Sequence, residues 1–425
     1  MTDTLDTGHL ETGRVDTTAR DAASGGTTDV RPPAPGSAER ATVIARIAED
    51  ARRRGYDGKP LAALELAREY RLGAVRVPVA LGGAGYSLRD LLELVIELGA
   101  ADPDVPHILR AHWGFVEERL TRLDDPRDRG WLEQVVGGTL FGGAGAERSS
   151  RAVGTYVFDT TLLPDGDAFR LNGRKYYSTG SQYSDVLRIS ANDADGEQLS
   201  VLIPADRDGV IHADDWNGIG QRQTGSGTTI LDNVVVYPEE VLDFRGWTDA
   251  QTRRRQPLPH LLLHAVAAGI LRSVTADAAE LIRSRPRPYA WAPTSIPAED
   301  PQLLQVVGEL SSAAFVVEGA VLRAAEFLDR AADHLLTRGS VDPDLELAAS
   351  LATSKVKVGV EDIALRAAGQ LFAAGGASAV DAAHHLDRHW RNLRTLFSHN
   401  PTVYKARVVG DVVVNDAALP PVGFF

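Results

Sequence analysis

Three stretches of the chain differ in the spacing of their apolar residues, and the first of them has a helical period. Apolar positions three and four residues apart predict amphipathic helices there. One helix has Ser37 as its N-cap, a second covers Leu61–Tyr70 and stops at Gly73, and a third begins at Ser87 with a capping-box pattern. This stretch predicts an N-terminal helical domain over residues 37–140.

The middle stretch, residues 141–245, has frequent glycine and an apolar period of two. Turn signals such as Asn172-Gly173 separate its apolar runs, which is typical of antiparallel strands. The runs are Val153–Phe158, Val186–Ser190, Leu199–Ile203 and Val234–Tyr237. They predict a β-domain, either a small barrel or a sandwich, and we choose the barrel.

The third stretch, residues 246–425, returns to a helical period. Apolar residues from Leu303 to Leu335 alternate steps of four and three, which predicts one helix of roughly 50 Å. Asp342-Pro343 resembles an N-cap followed by proline at the first helical position, so a second long helix should follow through about Phe372. Long helices with small and branched seams predict a four-helix bundle. The fold class is therefore α+β, mostly α.

Composition narrows the classes of function. The 425 residues have a formal net charge of −13 and no cysteine. An acidic chain is a poor match for nucleic acid or an anionic membrane, and the lack of cysteine excludes disulfides and thiolate chemistry. Residues 1–36 have no periodicity and are predicted to be a disordered tail. The N-terminus has no basic-then-apolar signal pattern. The apolar run Leu261–Leu271 is interrupted by His264 and is shorter than the ~20 residues needed to span a bilayer, so we expect a cytoplasmic protein without membrane contact.

The segment 389–411 carries the most specific candidate chemistry. His399 follows Ser398 in a turn where Pro401 disfavours further helix. The segment resembles the C-terminal end of the flavin-dependent monooxygenases on the acyl-CoA dehydrogenase fold, the group that contains dibenzothiophene monooxygenase. In the dehydrogenases this turn provides a glutamate that abstracts the substrate α-proton. Here no carboxylate occupies the turn, so the resemblance implies an oxygenase.

Two stretches of the β-domain resemble flavin-binding motifs of the same family. They are Asn172-Gly-Arg-Lys-Tyr-Tyr-Ser-Thr-Gly and residues 214–228, which contain Trp-Asn-Gly-Ile-Gly-Gln-Arg-Gln-Thr-Gly-Ser-Gly. The resemblance implies that Tyr177, Ser178, Thr179, Trp216 and Ser226 hold the flavin. An ordinary strand, a buried tryptophan and a glycine-rich hairpin are the alternatives from the residues alone.

Arg283 ends a helix where the dehydrogenases have an arginine that contacts the cofactor of a neighbouring subunit. The resemblance implies a contact with a flavin phosphate, although an arginine at a helix C-terminus also complements the helix dipole.

His112 lies where the family has an active-site histidine, and the resemblance implies that it acts with His399 as a second catalytic residue. Histidine suits proton donation because its ordinary pKa is about 6.5. His384, His385 and His389 match no metal-ligand spacing and are predicted to be exposed, so no metal is expected.

Taken together, the resemblance implies a two-component monooxygenase. It would take reduced FMN, preferred over FAD, from a separate flavin reductase and use O2 to oxygenate a small organic substrate through a flavin C4a-(hydro)peroxide. Family members are usually homotetramers. Three alternatives stay open: an acyl-CoA dehydrogenase with Glu309 or Glu318 as base, an amino-sugar N-oxygenase, and a flavin-binding assembly protein without turnover. The substrate cannot be named from the sequence.

Overall fold

The computed structural model describes residues 30–148 and 157–420. The helices are α1 Ala38–Arg53, α2 Leu61–Glu69, α3 Leu88–Ala101, α4 Asp104–Leu120, α5 Pro126–Val136, α6 Asp249–Arg254, α7 Pro257–Arg283, α8 Pro301–Arg338, α9 Pro343–Gly375, α10 Arg388–Phe397 and α11 Thr402–Asn415. The strands are β1 Phe141–Ala144, β2 Thr161–Asp165, β3 Ala168–Tyr176, β4 Val186–Asn192, β5 Gln198–Pro204, β6 Val210–Ala213, β7 Thr228–Val236 and β8 Val241–Asp243. The order of helices, sheet and helices matches the sequence prediction.

The predicted helix starts are confirmed by side-chain caps. The Ser37 hydroxyl accepts from the Arg40 amide, and Ser87 forms a reciprocal capping box with Asp90. Asp342 caps α9 with Pro343 at its first position. Each cap satisfies amide groups that have no partner inside the helix, so these starts are fixed by local sequence.

The middle strands form one sheet, and the sheet is open. Its strands follow the order β6-β7-β3-β2-β4-β5-β8, with β1 parallel to β4 at one side. Within the described residues no pairing joins β6 to β8, so the predicted closed barrel is not found. The predicted strand at Val153–Phe158 lies largely outside the described residues. The sheet has a hydrophobic core of its own, built from residues such as Leu171, Ile189 and Val234.

Helix α7 is the centre of the helical core, where it packs against α3, α8 and α9. At its crossing with α3, a Cβ added to Gly269 would lie 2.3 Å from the Ile96 carbonyl oxygen. Only glycine allows this approach, because a methyl group would overlap the facing backbone. The crossing fixes α7, which carries several of the basic residues described below.

Helices α8 and α9 leave apolar faces uncovered. By length and composition alone, Asp249–Arg283, Pro301–Arg338 and Pro343–Val380 are each apolar enough to cross a membrane. The most apolar window of the first is 72% buried, whereas the corresponding windows of the other two are 22% and 39% buried. Phe315 and Val316 on α8 are 79% and 50% exposed. Exposed apolar areas of this kind mark surfaces that another molecule covers.

A buried ion-pair network joins α4 to the sheet and to the loop before α7. The Glu118 carboxylate accepts from Arg188 Nη1 at 2.8 Å and from Arg255 Nε at 2.7 Å, and it also pairs with Arg119. These three cations hold the pKa of Glu118 well below its ordinary value despite the opposing effect of burial. The network fixes the position of α4 relative to β4.

Candidate active site

Aromatic side chains form a wall at the end of β3. Tyr177 follows the strand with a positive φ of 68°, and its ring is 6.1 Å from that of Trp216 in an edge-on arrangement. The Tyr176 ring is 4.7 Å from the Tyr177 ring. Tyr177 is 54% exposed and Trp216 is half-buried, so the wall faces outward from the sheet. An exposed aromatic wall is the kind of surface on which a planar ring system packs.

Hydroxyl groups lie beside this wall. The Ser226 hydroxyl is 2.7 Å from both the Thr179 and the Thr224 hydroxyl, and all three side chains are buried. The Ser178 hydroxyl is buried without a hydrogen-bond partner among the described residues. Such an atom can accept or donate a hydrogen bond to a water molecule or to a bound ligand. The structure thus brings five predicted flavin residues together.

Gln221 connects the wall to the helical part of the protein. Its backbone carbonyl accepts from Trp216 Nε1 at 2.8 Å, and its amide donates to Asn392 Oδ1 on α10 at 2.7 Å. His107 on α4 donates from Nδ1 to the Gln221 side-chain oxygen at 2.8 Å. The donor is assigned to His107 because an amide oxygen can only accept. One residue therefore joins the sheet, α4 and α10.

Gly220 allows the same loop to lie directly on α10. A Cβ at this position would be 2.1 Å from the Arg391 carbonyl oxygen. Backbone contact at this distance excludes every side chain. The loop that carries Trp216 is thus held against the helix that leads to His399.

His399 lies at the end of α10 and meets Arg110 of α4. Arg110 Nη1 is 3.2 Å from His399 Nε2, and because a guanidinium only donates, Nε2 accepts. His399 is exposed to solvent on one side, as expected at the wall of a cleft, and Arg110 of α4 and His260 of α7 lie next to its ring. Burial and the Arg110 charge place the pKa of His399 well below its ordinary value. His399 is therefore neutral at pH 7, which does not suit the acid role that its ordinary pKa suggested.

Further basic side chains surround this contact, and the sequence reasoning missed them. The His260 ring is 5.6 Å from the His399 ring, the His264 ring stacks on Phe397 at 5.8 Å, and Lys357 Nζ donates to the Phe397 carbonyl at 2.8 Å. The group, which we call the basic cluster, consists of His107, Arg110, His260, His264, Lys357, His399 and Lys405. A sequence signal existed for part of it, because His260 and His264 are four residues apart and share one face of α7.

The structure does not bring His112 to His399. His112 Nδ1 accepts from the Phe141 amide at 3.1 Å, and its Nε2 lies against Gly73. Two residues correspond to about 200° around a helix, so His112 lies on almost the opposite side of α4 from Arg110. Burial lowers the pKa of His112 to about 4. His112 therefore lies between α4 and the sheet, and its Nε2 is buried without a hydrogen-bond partner among the described residues.

Arg283 lies far along α7 from the part of the helix that faces the His399 turn. It lies 19 positions after His264 on α7, or about 28 Å along the helix axis. Its side chain is 70% exposed and its nearest acidic partner is Glu280 at 3.9 Å.

The acidic residues considered for a dehydrogenase are held elsewhere. Both oxygens of Glu318 pair with Arg272, at 2.6 and 2.8 Å, and Glu309 is bound by Gln305 and Gln370 on the surface of α8 and α9. Neither contacts His399. The prediction that His389 is exposed is wrong: it is buried, with Nε2 2.7 Å from Asp277 Oδ2.

No group of three His, Asp or Glu side chains within residues 30–148 and 157–420 is arranged to hold a metal ion. A cavity of about 390 Å³ lies further along α4, lined by residues that include Gly114, Glu118, Arg255 and Pro259. It does not contain His399. Gly114 follows Arg110 by one helical turn, so the cavity adjoins the basic cluster on the α4 and α7 side.

Comparisons with known proteins agree with this geometry. Residues 261–403 match the family model described as acyl-CoA dehydrogenase, C-terminal domain. A probable FMNH2-dependent monooxygenase, SfnC of Pseudomonas putida, is 30% identical over 403 residues, which cover 92% of this chain and 97% of SfnC. This chain belongs to the flavin-dependent monooxygenases of the acyl-CoA dehydrogenase superfamily.

Two solved structures of such monooxygenases have the same fold. The dibenzothiophene monooxygenase TdsC of Paenibacillus sp. A11-2, with FMN bound, superposes with a TM-score of 0.81 at 27% identity, covering 91% of this chain and 100% of TdsC. Methanesulfinate monooxygenase MsuC of Pseudomonas fluorescens has a TM-score of 0.81 at 28% identity, covering 91% and 98%. The acyl-CoA dehydrogenase-like architecture is thus confirmed, mostly helical with a sheet.

Proposed function

We propose that the chain is the oxygenase of a two-component system that uses reduced FMN and O2 to transfer one oxygen atom to a small organic substrate. The observation that carries the proposal is the arrangement around Gln221. Gln221 connects the aromatic wall of Tyr177 and Trp216, with its neighbouring buried hydroxyls, to α10. Helix α10 leads to the turn in which His399 takes the place of the carboxylate of the dehydrogenases. The first feature suits a flavin ring, and the second lacks the base that a dehydrogenase requires.

The residues on the sheet fit FMN. Tyr177 and Trp216 would contact the ring, and the Ser178, Thr179 and Ser226 hydroxyls would bind its polar edge or phosphate. When bound in reduced form, the flavin supplies the electrons that activate O2, and a separate flavin reductase would supply it. SfnC, named as FMNH2-dependent, supports this use of a reduced cofactor.

His399 would act as a neutral hydrogen-bond donor. Because Arg110 donates to Nε2, the neutral ring carries its proton on Nδ1. Arg110 fixes the tautomer and the orientation of the ring, so we assign it a positioning role. We keep His112 as the proposed second catalytic residue; it would act from the side of α4 where its ring packs against Phe141.

The assembly we propose is a homotetramer in the cytoplasm. The uncovered apolar faces of α8 and α9, together with exposed Val413 and Val414 on α11, support burial against other subunits. Arg283 would then reach the flavin of a neighbouring subunit. We further propose the division 37–140, 141–245 and 246–425, with a four-helix bundle in the last domain. The apolar C-terminal tail 419–425 is a further proposed subunit contact; of its residues, 421–425 lie outside the described part of the chain.

Rapid mixing tests the proposed activity. Protein with anaerobically reduced FMN is mixed with oxygenated buffer in the absence of substrate. We expect a transient near-UV absorbance that belongs to neither reduced nor oxidised FMN, and we expect it to shorten or vanish in His399→Ala. Reoxidation of FMN at the rate of the free cofactor would refute the oxygenase function.

A variant remote from the cleft provides the control. His384→Ala changes an exposed histidine beyond α9 and should leave the transient unchanged. Oxidation of acyl-CoA with an artificial electron acceptor is measured in parallel, since turnover there would favour the dehydrogenase alternative.

A further inference from the structure

The turn that contains His399 joins two helices that both pack on α9. Helix α10 ends at Phe397, and α11 begins at Thr402. The residue before α11 is Pro401, which has no polar side chain and therefore cannot cap the helix as Ser37 caps α1. The groups that hold the two ends of the turn must therefore come from outside it.

Lys357 on α9 binds the end of α10. Its Nζ donates to the Phe397 carbonyl oxygen at 2.8 Å and lies 5.7 Å from the centre of the Phe397 ring. The last carbonyl groups of a helix have no partner inside that helix, and a positive charge beside them complements the helix dipole. Lys357 is only 2% exposed, so solvent does not compete for this bond. The end of α10 is thus fixed to α9 two residues before His399.

Glu361 on α9 binds the start of α11. It follows Lys357 by four residues, which is about 6 Å along the helix and places both side chains on one face of α9. Glu361 Oε2 accepts from the Thr402 hydroxyl, and Oε1 accepts from Arg394 Nη2 at 2.7 Å. Because the two bonds use different oxygens, loss of Arg394 would leave the Thr402 bond in place. The start of α11 is thus fixed to the same face of α9 three residues after His399.

The two bonds, from Lys357 to Phe397 and from Thr402 to Glu361, are together called the α9 contacts. Between them, the ring of His399 accepts at Nε2 from Arg110 of α4 at 3.2 Å. A hydrogen bond weakens steeply when its length or angle changes. A turn that is attached to α9 at both ends keeps the ring at one distance from α4, whereas release of one end would let the ring move away from Arg110.

We propose that Lys357 and Glu361 are positioning residues for His399, because the α9 contacts keep its Nε2 within hydrogen-bonding distance of Arg110. This inference rests on the proposed function in one respect, since His399 is taken to act in oxygen transfer. In that reaction the α9 contacts would decide which ring nitrogen carries the proton. Nε2 accepts from Arg110 in the attached turn, so the proton is on Nδ1, and a released ring would also populate the tautomer with the proton on Nε2.

The tautomer of His399 distinguishes positioning from a purely stabilising role of the α9 contacts. It is measured at pH 7 on the full chain without flavin, from the 15N chemical shifts of the ring nitrogens, with the signal identified by its absence in His399→Asn. Arg110→Met should shift the tautomer ratio toward Nε2–H about tenfold or more, since a hydrogen bond from a charged donor is lost. Thr402→Val changes no charge and should shift the ratio in the same direction by about twofold to tenfold, since that bond is weakened.

Three further variants make the result specific. Thr402→Ser keeps the hydroxyl and should retain the wild-type ratio. Thr395→Val is the matched control, because it removes a hydroxyl that bonds only within α10, to the Arg391 carbonyl at 2.9 Å, and it should leave the ratio unchanged. In Arg110→Met, adding Thr402→Val should cause no further shift, because the bond that the α9 contacts maintain is already absent.

Thr402→Ala removes the same hydroxyl and provides a second variant in case Thr402→Val does not fold. A wild-type tautomer ratio in both variants would overturn the proposal. So would a shift of equal size with and without Arg110, because the α9 contacts would then act on His399 by another route. Thermal unfolding does not decide the question, since loss of the Thr402 bond lowers stability under either role.

Failure here is distinguishable from failure of the proposed function. The tautomer is measured without flavin, whereas the flavin transient is measured in the wild type. If the transient forms and the tautomer does not respond to Thr402→Val, the monooxygenase function stands and the positioning role is rejected. If the tautomer responds and no transient forms, the positioning of His399 stands and the oxygenase function is rejected.

Discussion

Replacing Arg110 by methionine should raise the pKa of His399. The side chain keeps most of its apolar length but loses the charge that lies 3.2 Å from His399 Nε2. Both charges are delocalised, so an effective separation of about 4 Å is appropriate, which corresponds to about 4 kcal/mol at an effective dielectric constant of 20. At 1.36 kcal/mol per unit this is at most about three pK units, and solvent at the exposed part of the ring reduces it. We expect a rise of roughly one to three units.

Carbon-detected titration of the histidine Cε1 resonances measures this shift. The chain has 11 histidines, and His399→Asn identifies the relevant signal by its absence. Arg394→Met is the matched control, because the Arg394 charge is paired with Glu361 at 2.7 Å. A pKa of His399 that is the same in Arg110→Met as in the wild type would refute the electrostatic assignment.

The sign of the accompanying stability change follows from the direction of the pKa shift. In the wild type the folded-state pKa of His399 is depressed, so the unfolded chain binds its proton more tightly. The folded state therefore loses stability as pH falls below about 6.5. Arg110→Met should reduce that loss. If neutral His399 is required for oxygen transfer, the acidic limb of the pH–rate profile should also move upward toward 6.5 in the variant.

Three further predictions concern stability and cofactor binding. Burial lowers the pKa of His107 to about 3, so the folded protein loses stability between pH 6.5 and pH 5. His107→Asn keeps a donor toward Gln221 and should make that loss about 2 kcal/mol smaller, measured by urea unfolding at the two pH values. His384→Asn should leave the loss unchanged. Gln221→Leu leaves His107 Nδ1 without its acceptor and should lower the stability by about 1–3 kcal/mol. It should also weaken the binding of reduced FMN, measured by fluorescence titration. Unchanged FMN affinity would contradict the connecting role of Gln221. Glu118→Gln removes the charge of a buried carboxylate that pairs with three arginines, and it should destabilise the protein by about 3–5 kcal/mol in denaturant unfolding. The exposed Glu49→Gln should change stability by no more than about 0.5 kcal/mol.

Local signals in the sequence predicted much of the fold. The helix caps at Ser37, Ser87 and Asp342 depend on only a few adjacent residues. The length of α8 could be predicted from the regular spacing of its apolar residues. Closure of the sheet is different, because it depends on whether β6 meets β8, which are separate in sequence. No local pattern contains that pairing, and the predicted barrel was not found.

The candidate site shows the same division. Tyr177 to Thr179, Trp216 and Ser226 were predicted as short motifs, and the structure places them side by side. Arg110 and His264 could not be predicted as neighbours of His399, because α4, α7 and the end of α10 meet only in the packed protein. The relative orientation of the side chains around α4 could, however, be predicted from their spacing in the sequence. It would have placed His112 on the side of the helix opposite Arg110.

For protein engineering, the contact between Gly220 and Arg391 distinguishes two sides of the cleft. The side with the Trp216 loop is fixed by this contact, and the side formed by α4 and α7 can be varied. The loop with Trp216 has no space to move relative to α10, so a change there alters flavin packing and the His399 turn together. The side formed by α4 and α7 contacts the loop through side chains such as His107, and it adjoins the cavity of about 390 Å³. Libraries intended to change substrate range should therefore vary Gly114, Pro259 and their neighbours and leave residues 216–226 intact.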